Sequence, residues 1–133
     1  MTTKKKRCKS YLPKPVNVPI CSNTRDNLAL ELRLAVENLI LAPSPISYNE
    51  VSKMLATIYR TGARGEGLDL ASDALTLICN RFERVHKVGV SEAEAEQLRR
   101  GAAGLDEMLA HIPLNKFVEA VSVVTYHSKE MGI

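Results

Sequence analysis

The chain contains no tryptophan and only 5% aromatic residues, so it offers few rings for stacking nucleic-acid bases. Its three cysteines, Cys8, Cys21 and Cys79, are odd in number and form no CxxC pair. A disulfide framework is therefore not expected, and a reduced, cytoplasmic setting is the simplest reading. No apolar run approaches the ~18 residues that cross a bilayer, and nothing after Lys4–Lys9 resembles the apolar core of a signal peptide. Neither a membrane span nor secretion is expected.

Catalytic signatures are also missing. His86, His111 and His127 lie far apart, in no HExxH or Cys/His zinc spacing, and read as one helix-end cation and two boundary residues. Cys79, among apolar neighbours, reads as a small hydrophobe. Gly62-Ala63-Arg64-Gly65-Glu66-Gly67 leads into a helix but lacks the Lys-Ser/Thr ending of a P-loop and follows a helix rather than a strand. It reads as a connector, the alternative being an anion held at the helix start by Arg64 or Arg60. No nucleophile, base and orienting group can be assigned together. The expectation is a protein that is not an enzyme and has no cofactor or metal.

What is present is charge and helical periodicity. Net charge is +3, but residues 1–25 carry seven bases and no acid, which leaves the rest at −4. Lys4, Lys5, Lys6, Arg7 and Lys9 cluster within six residues, and Lys14 follows among Pro13, Pro15 and Pro19. Proline removes amide donors and biases its neighbours to extended backbone, so residues 1–23 form a basic, proline-punctuated arm. Leu12, Val16, Val18 and Ile20 give its second half apolar content that can lie along the body. Such a cluster neutralises phosphates through counterion release, or seats in an acidic groove of a protein. The arm bases are thus candidates for nucleic-acid, nucleoprotein or acidic-partner contact.

Residues 24–133 read as one all-α domain, a compact bundle of about five helices, long enough for a conventional core. The first helix runs from about Thr24 to Ala42, with Leu28, Leu32, Ala35, Val36, Leu39 and Ile40 as its core stripe. Leu30, Leu34 and Leu41 fall opposite, so this helix is either sandwiched within the fold or offers a subunit interface in a homo-oligomer. The second begins at a capping box of Ser47 and Glu50, with Ile46 and Val51 as a hydrophobic staple, and buries Val51, Met54, Leu55 and Ile58. The third, within Gly67–Gly89, carries apolar residues from Leu70 to Val85 over half its circumference. The chain is organised around it, it needs more than one packing partner, and Gly89 is its expected left-handed stop. Arg81 lies inside this arc, where its stem snorkels or its head pairs with an acid.

The fourth helix starts at a capping box of Ser91 and Glu94. It presents a narrow seam of Ala95, Leu98, Ala102, Leu105, Leu109 and Ile112, off which Gly101 and Gly104 mark a kink, a close helix contact or a break. The fifth runs from about Leu114 to Glu130, with Phe117, Ala120, Val121, Val124 and Met131 on one face. No helix-turn-helix is expected, because the connection between helices two and three is too long and glycine-rich.

A Lys/Arg cluster, then Tyr11-Leu12-Pro13-Lys14-Pro15-Val16, then an Ala/Leu-rich helical body resembles small uncharacterised helical accessory proteins of proteobacterial phages and other mobile elements. The resemblance brings no catalytic residue. It implies an accessory role in binding and modulating a host or element-encoded complex, with an inhibitor of an RNA-guided defence nuclease within that class. The expected function is a non-enzymatic binding module. The alternatives are a protein-targeting inhibitor and a structural, self-assembling protein.

Overall fold

A computed structural model describes residues 22–132. They form α1 (Ser22–Leu41), α2 (Pro45–Arg60), α3 (Glu66–Val85), α4 (Glu92–Ala110) and α5 (Leu114–Met131), with no strand among the described residues. The five expected helices are present. Side-chain bridges fix their directions. Arg33 pairs with Asp106 and Glu37 with Arg99, so α1 and α4 are antiparallel. Tyr48 reaches the Leu75 carbonyl across α2 and α3, and Gln97 donates to the Leu70 carbonyl across α3 and α4.

The first four helices close a ring in which α1 and α3 each touch both α2 and α4, while α5 packs against α2 alone. The element with most neighbours is therefore α2. This corrects the expectation that the chain is organised around α3, although α3 does have the two partners its wide apolar arc called for. That arc is not fully covered: Leu77, Phe82 and Val85 are exposed. Arg81 meets Glu94, only the third residue of α4, so the last turn of α3 overruns the start of α4 and has no helix opposite it.

The ring encloses one core, filled by Leu32, Val36 and Leu39 of α1, Val51, Leu55 and Ile58 of α2, Ala71, Ala74 and Ile78 of α3, and Leu98, Ala102, Leu105 and Leu109 of α4. Every expected seam residue of α4 is buried. Gly101 lies within that interface and leaves α4 unbroken, because a Cβ at Gly101 would stand 2.7 Å from the Gly67 carbonyl oxygen and one at Gly67 would stand 2.8 Å from that of Gly101. Of the three readings the sequence allowed for Gly101 and Gly104, the structure selects the close helix contact, since a Cβ at Gly104 would also stand 3.3 Å from the Gly67 Cα. Gly67 belongs to α3 and to this contact, not to a connector.

The helix boundaries shift where cap chemistry differs from expectation. Pro45 occupies the first turn of α2, where its missing amide costs nothing, so the N-cap is Ser44. Ser44 Oγ accepts from the Ser47 amide at 3.1 Å, and Ser47 Oγ accepts from the Ser44 amide at 2.9 Å. Glu50 takes no part in the box, and Ile46 is 76% exposed, so there is no staple with Val51. The α4 box of Ser91 and Glu94 forms as expected. The stop of α3 is His86, at φ 58° with its amide 2.6 Å from the Phe82 carbonyl, and not Gly89. Among the described residues α1 already runs from Ser22, ahead of the expected Thr24.

Two apolar faces lie open. Leu30, Leu34 and Leu41 are 54%, 59% and 78% exposed, which removes the sandwiched reading of α1, since α2 and α4 both sit on its Leu32–Leu39 side. On α5 only Ala120 and Ser128 are buried. Phe117 packs on the core, Val124 is half-buried, and Val121 and Met131 are exposed. A single helix neighbour cannot cover the five-residue face that periodicity suggested. Among the described residues, no helix is long and apolar enough to cross a membrane.

Candidate functional site

The arm bases Lys4, Lys5, Lys6, Arg7, Lys9 and Lys14 lie outside the described residues. What the structure gives is the surface on which the arm is rooted. Because successive helices alternate in direction, Ser22 stands at the same end of the bundle as the C-terminus of α2, the start of α3, the C-terminus of α4 and the start of α5.

Most body arginines are engaged within the fold. Arg81 Nη1 donates to Glu94 Oε1 at 3.0 Å and to the Gly89 carbonyl at 2.8 Å, and Nη2 donates to Glu94 Oε2. Burial alone would raise the Glu94 carboxyl pKa, but the guanidinium and the Ser91 donors outweigh it and hold it below the ordinary value. Arg81 therefore pairs its head, one of the two fates its sequence position allowed. It locks the α3–α4 connection and the α4 cap together.

On the α1–α4 seam, Arg99 Nε and Nη2 lie 2.7 and 2.9 Å from the two Glu37 carboxylate oxygens. This hydrogen-bonded pair lowers the Glu37 pKa and raises that of Arg99. Arg33 bonds Asp106, and Arg100 approaches Glu96 at 4.0 Å. Arg64, in the α2–α3 connection, turns back over the end of α2: its guanidinium lies 3.8 Å above the Tyr59 ring, and Nη1 donates to the Tyr59 and Ala63 carbonyls at 3.0 and 2.7 Å. The α3 start is capped by Gly65 with no side-chain bond. Arg64 thus serves the α2 C-terminus and is not poised over the first turn of α3, contrary to the anion-holding alternative.

The remaining chemistry is dispersed. His86 and His111 follow the last turns of α3 and α4, and His127 sits on α5. Among the described residues no three His, Cys, Asp or Glu side chains gather as a metal site. Cys79 is half-buried beside Tyr48, whose hydroxyl pKa is pushed up to about 12, chiefly by burial and then by the neighbouring thiol. A phenol in that state is a hydrogen-bond donor, here to the Leu75 carbonyl at 3.4 Å, and not a base.

A cleft of about 540 Å³ opens between α2 and α5, with Lys53, Tyr59, Arg60 and His127 among its lining residues. Sequence reading did not single it out. The spacing of Lys53 and Arg60, seven residues and so two turns apart on one helix face, was the available signal, while the opposite wall comes from a helix more than fifty residues later. No protein-family profile, curated protein or solved structure matches the chain.

Proposed function

We propose that the protein is a non-enzymatic binding module, of the mobile-element accessory class its sequence resembles, whose basic arm contacts nucleic acid or a nucleoprotein. One observation carries the reading. Arg33, Arg81, Arg99 and Arg100 are all turned onto acids of the body, whereas residues 1–21 contain six bases and no acid among themselves. The arm is therefore the longest stretch of the sequence in which positive charge meets no acid, and its binding to a large polyanion is electrostatic, sequence-blind and salt-sensitive.

The test is recovery from lysate with the intact chain and with Lys4, Lys5, Lys6, Arg7 and Lys9 changed to Gln, each with and without nuclease. Nuclease-sensitive recovery that disappears with the arm charge is the expected result. Unchanged nucleic-acid recovery from the neutralised arm would sink the reading. A defined protein retained after nuclease favours the protein-targeting inhibitor, for which the exposed Leu30, Leu34 and Leu41 face and the acidic body are the relevant surfaces.

A further inference from the structure

Three clefts on the α2–α5 side run into one another. The largest is bounded by α2, α5 and, on a third side, Ser72, Leu75 and Thr76 of α3. It shares Arg60 and Val123 with a cleft of about 240 Å³. That one shares Thr61, Gly62 and Lys116 with a third of about 300 Å³ beside the α2–α3 connection. Together they line one groove that follows α2 from Tyr48 to its end and continues beside the α2–α3 connection, at the end of the bundle where α1 also starts.

The groove is segregated by charge. Residues 22–133 hold twelve Lys and Arg against fifteen Asp and Glu, yet the groove is lined by Lys53, Arg60, Arg64 and Lys116 and by a single acid, Glu119. Lys53, Arg60 and Lys116 take part in no ion pair among the described residues, unlike the arginines of the α1–α4 seam. Lys53 and Arg60 are about 10 Å apart along one face of α2 at 1.5 Å per residue. Tyr59 lines the same cleft, 55% exposed and backed by the Arg64 guanidinium, a planar platform of the type on which unpaired bases stack.

We infer that this groove is a track for single-stranded nucleic acid, with Lys53, Arg60 and Lys116 on phosphates and the Tyr59–Arg64 pair against a base. The inference builds on the nucleic-acid reading of the arm and extends it to the body. The platform selects for single strands, because a duplex keeps its base faces stacked and hidden. The arm, joined to the body at the end of the bundle where α1 starts, raises the local concentration of the strand, and the groove supplies the geometry.

Fluorescence anisotropy with the full chain and a labelled oligothymidylate, across a salt series and beside a hairpin duplex, tests it. Changing Lys53, Arg60 and Lys116 together to Gln is expected to weaken single-strand binding about tenfold or more and to lower the log–log salt slope by about two, at ~0.7 for each phosphate no longer neutralised. Glu119→Gln, which removes the one opposing charge, is expected to tighten binding and so gives a readout that misfolding cannot mimic. Wild-type affinity in the triple variant, with weakened binding on neutralising the arm, overturns the groove and leaves the arm reading intact. Weakened binding in the triple variant alone overturns the arm reading and supports the groove. A duplex bound as tightly and with the same groove dependence, or polyglutamate bound in preference to the oligonucleotide, overturns single-stranded nucleic acid as the occupant. No oligonucleotide binding by the wild type overturns both readings.

Discussion

Arg81 shows how one residue of this protein combines roles that its sequence position holds apart. It sits on the apolar arc of α3, so its stem has to cross packed surface before its charge finds a partner. Glu94 supplies that partner from the first turn of α4 while its Oε1 also accepts from the Ser91 amide at 3.0 Å. Helix cap and ion pair therefore share one carboxylate. Because the folded-state pKa of Glu94 lies below its ordinary 4.5, the folded chain binds this proton less readily than the unfolded chain. The stability it contributes is complete above about pH 4.5 and is lost as pH falls through the folded value. Urea unfolding at pH 7 and at pH 3.5 should show wild type losing more stability on acidification than Glu94→Gln, with the variant already weaker at pH 7. Equal losses in both would remove Glu94 from the acid limb.

Among the elements, the α3–α4 pair is the one most tightly specified, and glycine is the reason. Gly67 and Gly101 bring two helix backbones so close that neither position has room for a methyl group. Gly67→Ala and Gly101→Ala should each destabilise the protein by about 1–3 kcal/mol through overpacking, despite the better helix propensity of alanine. Gly89→Ala, where nothing stands within 4 Å of the new Cβ, should leave the urea midpoint nearly unchanged. Similar midpoints for all three variants would mean that the close approach yields without strain. The α4 seam was legible in the sequence because Ala95 to Ile112 alternate by three and four and fit a single groove. The α5 face was not, because periodicity states which residues share a side and says nothing of how many neighbours arrive to cover it. Ser44 was hidden for a local reason: Pro45 moved the cap one turn upstream of the more conspicuous Ser47 and Glu50.

For the whole molecule, the sequence disclosed the division between a basic arm and an acidic body but not the charge segregation within the body. Lys53 and Lys116 are sixty-three residues apart in the chain, and only the packing of α5 on α2 sets them along one groove. The uncovered Leu30, Leu34 and Leu41 face belongs to this scale too. We expect it to bury against a second copy as concentration rises, which sedimentation velocity would register as a shift toward dimer that Leu34→Glu abolishes. A single species of monomer mass at all concentrations would exclude that role for the face.

The odd number of helices among the described residues has an electrical consequence. With α1, α3 and α5 starting at the arm end and α2 and α4 ending there, two opposed pairs cancel and one helix macrodipole is left over, placing roughly half a positive charge at that end and half a negative charge at the other. The described bundle therefore has a polarity along its helix axes independent of any side chain. An anion brought to that end would meet this surplus positive pole within the first helical turn, where the helix field is felt.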